Sequence, residues 1–243
     1  MRNDSSQGSE PAPVATQKVW RYLTFSRFVW VLQKRQLWLS RADLLGDPWE
    51  IALAGDQLAH MISHAPSSTV SAWEKRESAM QRAERIIPMW RRETFINCWS
   101  ALDHESHALW RIYCGAKEGV AIQTTFARLQ SSIGSLPLLR VTYEIPGSRK
   151  QTPQLLDLAT KKRPMFEYER EVRIVDSKEK GGREPDVLGY GLDWRPEDHV
   201  ASIRVHPEAD KSFMETVLNV VDQYATRLKN RVVPSEMSAP PPF

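Results

Sequence analysis

The chain has 243 residues, of which 41% are hydrophobic and 26% charged, and its net charge is +3. That composition excludes a disordered or fibrous chain and fits one large soluble domain or two small ones, and so slight a positive balance does not by itself imply a nucleic-acid partner. Two cysteines are too few for a disulfide framework or a cysteine zinc site, and no apolar run approaches the roughly 18 residues of a membrane helix.

Residues 1–16 are rich in Ser, Gly and Pro and read as a disordered tail, and residues 234–243, ending Ala-Pro-Pro-Pro-Phe, read as a second one. A single globular domain is expected over residues 17–233, since neither an internal repeat nor a Gly/Ser linker interrupts them. No apolar leader opens the chain, so a cytoplasmic protein without a membrane partner is expected.

The first predicted strand is Lys18–Leu23. A helix capped by Ser26 runs to Lys34, and a second strand covers Gln36–Ser40. A turn follows through Asp47-Pro48, because the residue before Pro is pushed out of the helical region. Apolar spacing at Trp73, Met80, Ala83 and Ile87 predicts a helix over Ser71–Arg92, and Thr94–Trp99 is a nearly continuous apolar run, as for a central strand. Then come a helix over Glu105–Cys114, a strand over Gly119–Thr124, a helix over Phe126–Ile133 capped by Thr125, a strand over Leu138–Tyr143 and a helix over Pro153–Lys161. Phe166–Arg173 alternates, which predicts a strand with Glu167, Glu169, Glu171 and Arg173 on one face. An edge strand at Leu188–Leu192, a strand at Val200–Val205 and a long helix over Asp210–Leu228 complete the pattern. Helices and strands mix without regular alternation, which predicts an α+β fold with a split, mostly antiparallel sheet and flanking helices.

The ordered series Trp20-Arg21-Tyr22, Leu37–Asp43, Asp47-Pro48-Trp49-Glu50, Asn97-Cys98-Trp99, Glu105-Ser106, Leu109-Trp110, Tyr113, Gly119–Ile122, Val141-Thr142-Tyr143, Lys162, Phe166 and Tyr168–Arg173 resembles the bacterial domain-of-unknown-function family 2971. The resemblance spans nearly all of the expected domain. More distantly, the order of elements is similar to that of ADP-ribosyltransferases. Those enzymes carry an Arg or His on a first strand, a Ser or Tyr at a second, and a Glu on a late strand, often as Glu-x-Glu. Arg21, Ser40 and the pair Glu169 and Glu171 stand at the matching places. This resemblance implies an NAD-using transferase or NAD glycohydrolase, in a toxin or phage-defence setting.

The residues themselves leave two readings open at each place. Glu169 and Glu171 can act as a catalytic pair in glycosyl transfer, one stabilising positive charge on a ribose and one orienting an acceptor, or they can form a solvated charge ladder. Arg21 can hold a phosphate or ribose, stack on Trp20 or Tyr22, or pair with an acid such as Asp47 or Glu50. Tyr22 can stack a base or fill the core, and Ser40 can bond a ribose hydroxyl or end its strand. Trp99, Trp110 and Tyr113 can wall the same pocket or serve the core. Glu105 and Ser106 suit the start of a helix, Asp47 and Glu50 suit bracing of their loop, and Lys162 and Arg173 are basic neighbours of the Glu pair. Six scattered histidines and two neighbouring acids do not compose a metal site, so no metal is expected. The expected ligand is a nucleotide or other small molecule, with a protein or nucleic acid as acceptor. A non-catalytic nucleotide- or protein-binding module is the alternative, and a Mg-dependent nuclease using Asp47, Glu50 and Glu169 a further one.

Overall fold

The structure is a computed structural model and describes residues 14–52, 57, 72–115, 117–145, 154–177, 187–239 and 241. Strand β1 (Lys18–Thr24) leads directly into helix α1 (Phe25–Lys34). Thr24, not Ser26, is the N-cap, and α1 ends where Arg35 turns left-handed at φ 54° and returns its N–H to the Val31 carbonyl. Strand β2 (Gln36–Arg41) follows. Helix α2 (Ala72–Glu93) runs straight into β3 (Thr94–Ser100), with the Thr94 hydroxyl bonding the Trp90 carbonyl at the junction. Met80 is exposed rather than on a core face, and the Trp73 side chain lies outside the described residues.

Helix α3 (His107–Cys114) is capped by Ser106, whose side chain accepts from the Leu109 N–H. Strand β4 (Gly119–Thr125) and helix α4 (Phe126–Ser132) come next, with Thr125 as cap. The strand predicted at residues 138–143 is two short ones, β5 (Leu138–Arg140) and β6 (Thr142–Tyr143). Helix α5 (Leu155–Ala159) is shorter than predicted, because Lys161 and Lys162 form β7 and pair with β6.

The alternating stretch differs most from expectation. Residues Pro164–Glu169 form a 3-10 helix, Arg170 is left-handed at φ 43°, and strand β8 starts only at Glu171 and runs to Ser177. Strand β9 (Gly189–Asp193), helix α6 (Pro196–His199), strand β10 (Ser202–Val205) and helix α7 (Lys211–Ala225) follow. Strand β11 (Val232–Pro234) and a 3-10 turn at Glu236–Ser238 continue the ordered chain past residue 233.

Among the described residues nine strands form one sheet in the order β11-β10-β4-β1-β3-β2-β9, with β8 and β5 adding beyond β3. Apart from the parallel pair β10 and β11, the pairing in this sheet is antiparallel, so the fold is α+β with a mostly antiparallel sheet and flanking helices. Strand β8 pairs with all seven residues of β3, from Thr94 against Ser177 to Ser100 against Glu171. The opposite edge of β3 is shared, with β2 pairing at Phe95 and Ile96 and β1 at Ser100 alone. The sheet therefore forks between β1 and β2.

Strand alternation separates the cores. Val19, Leu23, Leu37, Leu39, Phe95, Trp99, Val172 and Ile174 lie in the main core with residues of α1 and α7. On the other face, Ile96 and Val175 pack with α5, and Trp20 and Tyr22 pack with α3. The fork lies between these two smaller cores.

Candidate active site

A cleft of about 540 Å³ opens at the fork, a size that suits a small-molecule site. Two side chains stand in for the missing ladder. The Arg21 Nη1 donates to the Cys98 carbonyl at 2.6 Å, and the Asn97 Nδ2 donates to the Trp38 carbonyl at 2.8 Å. The Trp99 indole N–H donates to the Asn97 Oδ1 at 2.7 Å, so Asn97 spans β2 and the core at once.

The wall beside β3 carries a buried ionic chain. Glu50 takes both ends of the Arg173 guanidinium, at 2.7 and 2.8 Å. Arg173 Nε also donates to the Glu171 Oε2 at 2.7 Å. Lys162 Nζ then bridges Glu171 Oε1 at 2.5 Å and Glu169 Oε2 at 2.7 Å. The chain ends at the Tyr113 hydroxyl, which donates to Glu169 Oε2 at 3.5 Å. The Glu171 N–H donates to the Tyr143 hydroxyl at 2.7 Å, a contact with no signal in the sequence beyond a Tyr in the family-like series.

Three carboxylates share two cations here, and the shortfall falls on the last one. Glu169 is only 4% exposed. Burial first, and then the neighbouring Glu171, push its carboxyl up to about 7 against the opposing pull of Lys162. Burial acts on Glu171 in the same direction, but Arg173, Glu169 and Lys162 outweigh it and hold this carboxyl far below the ordinary range. Burial would lower the Lys162 ammonium, yet Glu171 and Glu169 keep it above its usual value. The pair thus divides into an ionised anchor and a carboxyl that exchanges its proton near neutrality.

Tyr113 is 39% exposed and lines the cleft, and burial raises its hydroxyl so that it stays protonated. Ser40 borders the cleft on β2, and its hydroxyl has no hydrogen-bond partner among the described residues. Tyr22 borders it as well, but its ring is buried against Trp110 and its hydroxyl accepts from the Ser106 N–H at 2.8 Å. Arg21 pairs with neither Asp47 nor Glu50. Burial brings its guanidinium down to about 10, still charged at neutral pH.

Several expected pocket residues have structural positions. Trp99 adjoins the cleft, but its ring is 1% exposed and packs edge-to-face on Trp194. Trp110 is fully buried away from the cleft, and its indole N–H donates to Glu105. Glu105 also accepts from the Ser235 hydroxyl and the Glu236 N–H, so it fastens the chain after β11 rather than lining the cleft. Ser106 is the α3 cap. Asp47 braces its loop, accepting from the Trp49 N–H and from Arg163. Both Asp47 and Glu50 therefore face guanidinium partners, and among the described residues no group of three or more His, Cys, Asp or Glu is placed to hold a metal ion. Glu167 is the exposed member of the acidic run, beside Arg170 at 3.9 Å. No helix among the described residues is long and apolar enough to cross a membrane.

No family model matches the chain, and no curated protein matches it. The resemblance to family 2971 rests on the residue series alone. Among solved structures, the chain is similar to Thermus sp. 2.9 DarT in complex with ADP-ribosylated ssDNA, at 13% identity and a TM-score of 0.42, over 94% of this chain and 98% of that one. A likeness this distant assigns neither activity nor ligand.

Proposed function

We propose that the cleft binds NAD as substrate and breaks its bond to nicotinamide, passing the ADP-ribosyl group to an acceptor or to water. The observation that carries this reading is the buried carboxyl of Glu169, raised to about 7 and set in the cleft wall between Lys162 and Tyr113. In the reaction the bond from ribose C1′ to the nicotinamide nitrogen breaks, and the electron pair leaves with nicotinamide. An acceptor O–H or N–H attacks C1′ and its proton passes to the Glu169 carboxylate, so the products are nicotinamide, the ADP-ribosylated acceptor and a proton. Glu171, neutralised by Arg173 and Lys162, is assigned to position Lys162 and Glu169. Ser40 is free to bond a ribose hydroxyl, and Arg21 supplies cationic donors for the phosphates.

Incubating the protein with NAD should release nicotinamide. A general base of this kind contributes about 10²–10⁴-fold, and Glu169→Gln should lose that factor. Because the base works deprotonated, kcat/KM should rise through a pH of about 7 and level off above it, and Glu169→Gln should abolish the rise. NAD binding with no nicotinamide released by the wild type, and no difference in Glu169→Gln, would replace the enzyme with a nucleotide-binding module.

A further inference from the structure

Two segments wall the cleft beside the ionic chain, the loop of residues 44–50 after β2 and the 3-10 turn Pro164–Glu169. Arg163, just before the turn, fastens one to the other. Its Nη2 donates to the Asp47 Oδ1 at 2.9 Å and its Nε to the Oδ2 at 3.4 Å. The same guanidinium lies over two rings, 5.8 Å from the centroid of Trp49 and 5.5 Å from that of Phe166. A planar fork makes both kinds of contact at once, which a Lys ammonium cannot. Within the loop the Glu50 N–H donates to the Asp47 carbonyl at 3.0 Å, so holding Asp47 also holds Glu50. Arg91 fixes the loop backbone to α2 through the Pro48, Glu50 and Ile51 carbonyls, whereas Arg163 ties the loop to the turn that carries Glu169.

Glu50 acts on Glu169 at one remove. It occupies both ends of Arg173 and lies 3.9 Å from the Lys162 Nζ. In that position three carboxylates draw on two cations, and Glu171 competes with Glu169 for Lys162. With Glu50 withdrawn, Arg173 would answer Glu171 and Lys162 would answer Glu169, one cation to each carboxylate. We infer that Arg163 is a positioning residue: it clamps the loop of Asp47 and Trp49 to the turn of Phe166, keeps Glu50 on Arg173, and so obliges Glu171 and Glu169 to share Lys162. The groups that face Glu169 are Lys162 on β7, Glu171 on β8, Tyr113 on α3 and Tyr168 on its own turn. The sign of the effect identifies the clamp. A cation acting directly on Glu169 would favour the ionised carboxylate, and its loss would raise the midpoint; a clamp acting through Glu50 lowers the midpoint when it is lost. This inference rests on the proposed function for the use made of the Glu169 proton, but not for how tightly that proton is held.

The test is a carbon-detected NMR titration of the Glu carboxyl groups, with the Glu169 resonance assigned by its loss in Glu169→Gln. The wild-type midpoint should be about 7. Arg163→Gln and Glu50→Gln should each lower it by about one pH unit, a tenfold change in the protonation ratio. Thr125→Ala, which removes the α4 cap outside the cleft lining, should leave it in place. If Arg163→Gln does not fold, Trp49→Leu removes one of the two stacking rings without changing any charge and is read by the same criterion. A midpoint unchanged or raised in the clamp variant, a midpoint unchanged in Glu50→Gln, or an equal fall in Thr125→Ala each overturns the inference. Nicotinamide release from NAD is measured separately on the wild type. A lowered midpoint in the clamp and Glu50 variants with no release keeps the clamp and removes the catalytic reading, and release with an unmoved midpoint does the reverse.

Discussion

Glu169 and Glu171 differ by two positions and have opposite chemistry because their cations are unequally shared. Glu171 faces both Arg173 and Lys162, whereas among the described residues Glu169 has Lys162 as its one cationic partner. Replacing Lys162 with Met leaves two buried carboxylates facing each other, and breaking a buried pair in this way costs about 3–5 kcal/mol. Urea denaturation should show that loss, and the pH limb of any Glu169-dependent activity should move upward, since Lys162 is what opposes the rise of Glu169. Linkage adds a stability signature of its own. Glu169 binds its proton more tightly in the fold, near 7, than in the free chain, near 4.5, so its contribution is complete below about 4.5 and is lost as pH rises through about 7. Glu171 works the other way: its contribution is present above the ordinary carboxylate range and disappears only in strong acid. Glu169→Gln should therefore flatten the decline of unfolding free energy between about pH 4.5 and 7 while leaving the strong-acid limb in place. A decline of unchanged slope would contradict the assignment.

At the scale of elements, one left-handed residue sets the geometry. Phe166 to Arg173 alternates in polarity, and taken alone that pattern describes a strand. The chain instead winds Pro164–Glu169 into a 3-10 helix, reverses at Arg170 and pairs only from Glu171 onward. Pro164 at the start of that turn was the visible cue, since Pro suits a first helical position. The reversal at Arg170 had none, because nothing in the residue type demands φ > 0. What alternation did capture is the part that pairs: Glu171 and Arg173 do share a face, opposite Val172 and Ile174. Arg170→Gly should fold at least as well as the parent, while the β-branched Arg170→Val should cost about 1–2 kcal/mol at that backbone conformation. Both variants keep Glu169 and Glu171, so lower NAD turnover in Arg170→Val than in Arg170→Gly would show that the reversal positions the pair. Caps were more legible: Thr125 caps α4 as its sequence position suggested, whereas the Thr24 cap of α1 makes no side-chain bond that could mark it.

For the molecule as a whole, the site exists because the sheet forks. Strand β3 cannot pair with β1 and β2 along the same stretch of edge, and Arg21 and Asn97 occupy the gap. Asn97→Ala strands the Trp38 carbonyl and the Trp99 indole N–H together, each an unmade bond costing about 1–3 kcal/mol. Chemical denaturation should show a loss in that range or above it. Nucleotide binding should fall as well if the fork holds the cleft open, and a variant that is destabilised but binds ADP normally would separate the two roles.

The sequence by itself determined the α+β class, most of the strands and helices, and the residue types available for chemistry, because periodicity and caps are local properties of the chain. It also brought forward Arg21, Ser40, Glu169, Glu171, Lys162 and Tyr113, which the structure gathers around one cleft. Only the tertiary structure decided that Trp110 and Glu105 serve the packing of α3 and the chain end, that Arg173 belongs to Glu50 as much as to Glu171, and that Arg27 shares the cleft. These assignments depend on which charges meet after strands distant in sequence have paired. The Glu50 to Arg173 contact spans 123 residues and the Arg21 to Cys98 contact 77, separations across which no local pattern carries information.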